Sequence, residues 1–286
     1  MATDIESKIR TMLPKLSKGH RLIARAILDG YDRAAYMTAA ELGELAGVSE
    51  STVVRFAGEL GFPGYPALQH AVQEMVRTRL TPNQRMAVSD SRMGHGDLLA
   101  SAMEGDMARI RYTLEHIDRA AFNAAVETLL GARHIYTIGM RSSASLASFL
   151  HFNLSLIVDN TTALLPGGPG EVFEQMLNIG AEDALIAVSF PRYTNEVVHA
   201  VRYAQHRGAA IIALTDSDIA PISEYATHLL TAQSDMVSFV DSLVAPLSVI
   251  NAMVMALANR MRDKVTERFD RLEQIWDAYD VYAKKK

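Results

Sequence analysis

Apolar positions return every three or four residues along the first eighty of the chain, the period of helices that bury one face. Residues 4–13 and 17–29 predict two helices, broken at Pro14 and with Ser17 placed to cap the second. Leu22, Ile23, Ala26 and Ile27 form the inward stripe of that second helix. The stretch 38–60, TAAELGELAGVSESTVVRFAGEL, predicts two more helices about a tight turn. Thr38 is placed to cap the first and Gly47 breaks it; Ser49 is placed to cap the second, which Gly61 ends. Pro66 opens a fifth helix to about Leu80, with Leu68, Val72 and Met75 on its apolar side. Residues 1–80 thus predict a small all-α bundle of five helices. Residues 81–96, TPNQRMAVSDSRMGHG, hold Pro, Asn, Ser and Gly without an apolar period and read as a linker.

Beyond the linker, Asp97 starts a helix to about His116 with Leu98, Met103, Met107, Ile110 and Leu114 on its apolar face. Asp118 caps another, ending at Gly131, with Phe122, Val126, Leu129 and Leu130. From Arg133 the rhythm changes to short apolar runs between helices. Strands are predicted at 134–139, 162–165, 184–189, 209–215 and 228–232, and helices at 142–158, 171–179, 194–207 and 240–261. A last helix follows at 269–282. This alternation predicts a parallel sheet covered on both faces. Right-handed crossovers over five strands make residues 97–286 an α/β, flavodoxin-like domain, whose ligands bind beyond the carboxyl ends of the strands.

The turn at 47–49 carries the first candidate chemistry. Leu42, Ala46, Val48, Val53 and Phe56 point inward, and small Gly43 sits where the two helices must approach. That pattern is a helix-turn-helix, whose second helix enters the DNA major groove with its N-terminal residues toward the bases. The outward residues at that end are Ser49, Glu50, Ser51, Thr52 and Arg55, and short hydroxyls with one arginine suit phosphate and base-edge contacts. A helical hairpin with no nucleic-acid partner has the same spacing, so the spacing alone leaves both readings open.

The longer run Val48–Gln69, VSESTVVRFAGELGFPGYPALQ, resembles the signature of the RpiR-type bacterial regulators. The resemblance rests on Val48-Ser49, Thr52-Val53, Arg55-Phe56, Leu60-Gly61-Phe62 and Gly64-Tyr65, with Leu68 beyond. It covers about the first eighty residues and implies an operator-binding head followed by a sugar-isomerase (SIS) domain.

Composition adjusts this picture at a few points. The net charge of −5 argues against a general nucleic-acid binder, but residues 1–80 are net +1 and the remainder −6. Lys8, Arg10, Lys15, Lys18, Arg21 and Arg25 follow one another without an acidic residue between them, either a phosphate-tracking patch or a solvated helix face. The absence of Cys excludes disulfides and thiolate metal sites, and the nine histidines lack metal-ligand spacing. No metal or cofactor is expected. The opening MATDIESKIR lacks the apolar core of a secretory signal, and the apolar run 243–258 is interrupted by Pro246, Ser248 and Asn251, so a cytoplasmic protein is expected.

Two strand ends carry the second candidate chemistry. Gly139, Met140, Arg141, Ser142 and Ser143 open one helix, and Ser189 to Thr194, including Arg192, precede another. Backbone N–H groups and hydroxyls at a helix N-terminus favour an anion. These loops resemble the SIS pattern, roughly G-x-G-x-S in the first and S-x-S-G-x-T in the second, which together cradle a phosphosugar. Gly139, Ser143, Ser189 and Thr194 keep their places, and Ser142 adds a hydroxyl. Arg141 and Arg192 stand where that pattern has glycines, and Pro191 where it has the second serine. The arginines are suited to bidentate recognition of phosphate or carboxylate, or else to structural ion pairs. The resemblance implies a regulator of carbohydrate-metabolism genes, with no enzymatic activity of its own. Its partners would be operator DNA, an anionic sugar (a phosphosugar or sugar acid) as effector, and further copies of the chain as a homodimer or tetramer. The helices at 144–157 and 243–258 are candidates for self-association. The rival readings are an SIS isomerase with a non-DNA-binding N-terminus, for which Glu171, Glu174 and His199 are positional candidates as acid or base, and a sugar-binding adaptor that docks protein.

Overall fold

A computed structural model describes residues 5–79, 81, 83–86, 97–165, 167, 170–235 and 240–283. The chain divides into two compact units, one within Met1–His95 and one drawn from Gly96–Asp235 and Asp241–Lys286.

The first unit is helical: α1 Ile5–Met12, α2 Lys18–Asp29, α3 Tyr31–Ala34, α4 Ala39–Ala46, α5 Glu50–Glu59 and α6 Tyr65–Arg79. Ser17 caps α2 as expected, its hydroxyl accepting from the His20 N–H at 3.3 Å. The four-residue α3 is an addition to the five expected helices. Its connection to α4 is held by α6, from which Gln73 donates to the Ala35 carbonyl and Tyr65 and Gln69 to that of Met37. The core gathers Ile9, Ile23, Ile27, Leu42, Val53, Phe56, Leu60 and Leu68, all shut off from solvent. Leu22, expected inward on α2, is exposed instead, because Ile23 and Ile27 with Ala24 define the buried stripe. Within the expected linker 81–96, residues 83–86 are helical and Thr81 caps them reciprocally with Gln84, so that part is not irregular. Residues 82 and 87–96 lie outside the described residues.

The second unit opens with α7 Leu98–His116 and α8 Arg119–Gly131, capped by Asp97 and Asp118. Five parallel strands follow, β1 Ile135–Gly139, β2 Thr161–Leu164, β3 Ala184–Val188, β4 Ala210–Thr215 and β5 His228–Thr231, in the order β2-β1-β3-β4-β5. This is the flavodoxin-like order, with its switch point between β1 and β3. The strands are joined by α9 Ser142–Ile157, α10 Glu171–Gln175 and α11 Asn195–His206, and α12 Val244–Arg260 and α13 Arg262–Ala278 close the chain. One face of the sheet packs on α8, α9 and α12 through Val126, Leu150, Leu154, Ile186, Ile212, Ile250 and Leu257. The other packs on α10 and α11 through Val172, Leu185, Val197, Val201 and Ile211.

Three boundaries depart from expectation. The helix expected over 171–179 stops at Gln175, where Met176 N–H turns back to the carbonyls of both Val172 and Phe173. That expected at 240 begins at Val244, and Pro246 fits there because the first turn needs no N–H. The last helix begins at Arg262 rather than 269, bent by 98° from α12.

At the amino ends of the strands, Arg133 donates twice to Asp183, at 2.9 and 2.7 Å, and the Gly180 N–H adds a third bond at 2.8 Å. Burial would push the Asp183 carboxyl up, but these bonds and the Arg133 charge outweigh it and hold it below the usual aspartate range. A lowered folded pKa adds stability above the unfolded value, and that stability disappears as the pH falls through the folded one. Thermal melts should therefore show the second unit losing stability as the pH falls below about 4. Asp183→Asn should flatten that dependence; an unchanged slope would mean that other carboxylates cause it.

Candidate functional site

The turn that leads into α5 follows a helix started by one capping box and ended by a glycine. Thr38 Oγ1 accepts from the Glu41 N–H at 3.2 Å while Glu41 accepts from the Thr38 N–H at 2.7 Å, a capping box that starts α4. The Thr38 N–H and hydroxyl bonds hold the Glu41 carboxyl below its ordinary value. Burial, and then the Glu41 charge, push the Tyr65 phenol up to about 12, so it remains a donor to Met37. Gly47 closes α4 at φ +67°, and the N–H groups of Gly47 and Val48 return to Glu44 and Gly43 at 3.1 and 2.8 Å. A Cβ on Gly43 would lie 2.9 Å from the Val48 carbonyl oxygen, so the expected close approach of the two helices is present.

Ser49, Glu50, Ser51 and Arg55 are exposed and Thr52 is half-buried, while Val53 and Phe56 face the core. Ser49 stands at the N-cap position, but its hydroxyl does not cap: it bonds the hydroxyls of Ser51 and Thr52 at 2.9 and 2.8 Å. Arg55 folds back along the helix toward the Ser51 carbonyl, at 3.3 Å. Val54 is also exposed, between Ser51 and Arg55 on the outer face. Sequence alone does not single it out, because a valine in an apolar-rich segment reads as core. Of the basic patch, Arg10 bonds Glu6 at 2.6 Å and Lys8 lies over the Phe62 ring, whereas Lys15, Lys18, Arg21 and Arg25 are exposed. His20 on α2 contacts Glu59 on α5 and sets its ring against Phe56 at 5.6 Å, bracing the two helices.

In the second unit, Gly139 pairs with Val188, so the loops after β1 and β3 lie side by side at the carboxyl edge. A Cβ on Gly139 would meet the Ser143 carbonyl oxygen at 2.5 Å and the Ala147 Cβ at 2.9 Å; only glycine lets α9 pass so near the strand. Ser142 is exposed, whereas Ser143 is 4% and Ser189 3% exposed. Neither hydroxyl is hydrogen-bonded to another of the described residues. Thr194, half-buried at the start of α11, does not cap it, and its buried Oγ1 is likewise without a partner. Tyr193 donates to Asp216 at 2.8 Å, tying the second loop to the end of β4.

Arg141 and Arg192 are both exposed at this edge, and neither forms an ion pair among the described residues. Arg141 lies at φ 56°, ψ −124°, a conformation that glycine adopts freely and a side chain only at a cost of about 1–3 kcal/mol. Glu171, Glu174 and His199 are exposed on α10 and α11. Among the described residues no three His, Cys, Asp or Glu side chains gather as a metal site, and no single helix is long and apolar enough to cross a membrane.

Comparison with known proteins covers both units. Residues 3–78 match the model of the helix-turn-helix domain, rpiR family, and residues 128–256 that of the SIS domain. The HTH-type transcriptional regulator HexR of Escherichia coli (strain K12) is 27% identical over 280 residues, 93% of this chain and 92% of that protein. The sugar isomerase domain of an RpiR transcription factor from Sphaerobacter thermophilus is 30% identical, with a TM-score of 0.60, over 63% of this chain and 99% of that one. The Vibrio vulnificus NanR protein complexed with ManNAc-6P has a TM-score of 0.61 at 22% identity, over 98% of this chain and all of that one, a likeness of fold.

Proposed function

The chain belongs to the RpiR family of helix-turn-helix regulators that carry an SIS domain, and on that premise we propose that it regulates carbohydrate-metabolism genes by binding DNA under the control of an anionic sugar. The observation that carries this reading is the amino end of α5, where exposed hydroxyls and an arginine surround a helix whose other face is fully buried. Ser49, Ser51 and Thr52 are placed for phosphates, Glu50 and Arg55 for base edges, and Val54 for a thymine methyl group. Arg55 must leave its own helix to do so, exchanging long intrahelical bonds for charge-assisted ones.

The effector is assigned to Gly139, Arg141, Ser142, Ser143, Ser189, Arg192 and Thr194. Two helix N-termini, the hydroxyls of Ser143 and Ser189 and the buried, unpartnered Oγ1 of Thr194 suit a phosphate, the group that ManNAc-6P carries in the Vibrio vulnificus neighbour. The isomerase reading needs an acid or base beside the sugar. Its positional candidates are exposed, the second loop departs from the sugar-binding pattern, and the E. coli relative is a transcriptional regulator along nearly its whole length.

A single recognition helix reads too few bases for useful specificity, so the chain acts as a symmetric homo-oligomer on a palindromic operator. The helices at 144–157 and 243–258 are largely committed to the core, though Phe152 and Met255 remain exposed. The stronger candidate surface is α7, where Leu99 is 71% and Met107 61% exposed, with Met103 between them one turn from each. Such a regulator works in the cytoplasm.

The test is a titration of duplex DNA from upstream of the chain's own gene, with stoichiometry, in the presence and absence of a panel of sugar phosphates and sugar acids. Two chains per palindrome and a ligand-dependent shift in affinity are expected. A shift with no compound of the panel would reduce the SIS domain to an assembly module.

A further inference from the structure

The exposed stripe of α7 runs into a hollow. Leu99, Met103 and Met107 are followed at the helical period by Ile110 and Leu114, a row about 22 Å long at the rise of an α-helix. Ile110, Leu114 and Ile117 line an apolar hollow of about 210 Å³, whose other walls include Phe122 of α8 and Val249 and Ala252 of α12. Leu114 is still 57% exposed there. The first half of the row therefore projects and the second half borders a recess. A helix divided in this way is complementary to a reversed copy of itself, as a two-fold contact requires.

The charges of α7 select one register for that copy. Glu104 and Arg111 are exposed two turns apart along one edge of the row, and neither forms an ion pair among the described residues. A two-fold axis between Met107 and Ala108 sets each Glu104 opposite the Arg111 of the other copy. The same axis sets each Leu99 opposite His116, between the Leu114 and Ile117 that border the hollow. A slip of one turn would face Glu104 with Met107 in one direction and with Glu115 in the other, and both ion pairs would be lost. We infer that a second copy of this chain docks antiparallel on α7, with its Glu104 on Arg111 and its Leu99 in the hollow beside α8 and α12. This rests on the homo-oligomer proposed above and adds the occupant of the surface and its register.

The chain has no cysteine, so one introduced thiol reports on its own symmetry mate. In the full chain, Met107→Cys should be joined into a covalent dimer by a short bis-maleimide. Ser101→Cys on the same helix should not, because its two copies would stand about 20 Å apart along the axis. Sedimentation velocity measures the strength of the contact. Leu99→Ala should weaken self-association about tenfold or more, the loss expected for a buried leucine. Glu104→Arg and Arg111→Glu should each weaken it several-fold, and the double reversal should recover most of that loss. These side chains are exposed in the single chain, so the variants should fold as the parent does. A dimer that cross-links at neither position, or at both alike, would overturn the inference while leaving the homo-oligomer standing. So would a double reversal as weak as the two single ones. A parent that stays monomeric at every concentration would overturn the homo-oligomer and the inference with it.

Discussion

Replacing Phe56 by alanine is expected to cost the N-terminal unit about 3–5 kcal/mol, the usual loss for a buried phenyl ring. Phe56 is wholly buried and among the largest side chains in a core that also holds Ile9, Ile23, Val53 and Leu68. Its ring also supports His20, whose contact with Glu59 braces α2 against α5. A small domain has about 5–15 kcal/mol to lose, so the variant should melt far lower or populate an unfolded head at room temperature. DNA binding should fail with it, although Phe56 touches no nucleic acid. The second unit has its own core and should keep its own transition. Calorimetric melts resolve the two, and an unchanged first transition would mean that α5 is rotated from the position described.

Gly139→Ala should be comparably damaging in the second unit. The added methyl would stand 2.5 Å from a backbone oxygen of α9 and 2.9 Å from the Ala147 Cβ, and neither is the far end of a flexible side chain. Overpacking of this kind costs about 1–3 kcal/mol, and more where backbone must move. The helix that moves carries Ser143 at its first turn, so effector binding should fall further than the melting temperature suggests. Circular-dichroism melts with ligand titrations would show it; parent-like binding and stability would contradict the close passage of α9 over β1.

How far this was legible beforehand depends on whether the signal was local. Pro14, Ser17, Gly47 and Gly61 mark helix ends through the chemistry of one residue, and the observed ends agree with them. Alternating apolar runs showed the number of strands, and the flavodoxin-like doubly wound arrangement they imply has the observed order. The capping box in TAAE is local too, with Glu41 three residues after the Thr38 cap. What escaped depends on tertiary context. Leu98, Met103, Met107 and Leu114 share a helical stripe that predicts burial, but they are exposed in the single chain, because periodicity cannot say what covers a face. Residues 262–268, RDKVTER, look like a solvated loop yet begin α13. Ser49 has the composition of a cap, but Ser51 and Thr52 offered its hydroxyl nearer partners. For the effector loops, sequence showed which residues depart from the sugar-binding pattern. It could not show that Arg141 would be held at a positive φ or that both arginines would be left without carboxylate partners.

The most direct test of the central claim is a comparison of the parent and Arg55→Ala on operator and on random duplex DNA across a range of salt. Arg55 is exposed and, among the described residues, bonded only within its own helix, so removing it should leave the melting transitions in place. Operator affinity should fall by roughly 1–3 kcal/mol, with random DNA much less affected, if the arginine reads a base edge. Equal operator affinity for parent and variant, or no binding of the parent to any duplex, would contradict the placement of α5 in the major groove and with it the reading of this chain as a DNA-binding regulator.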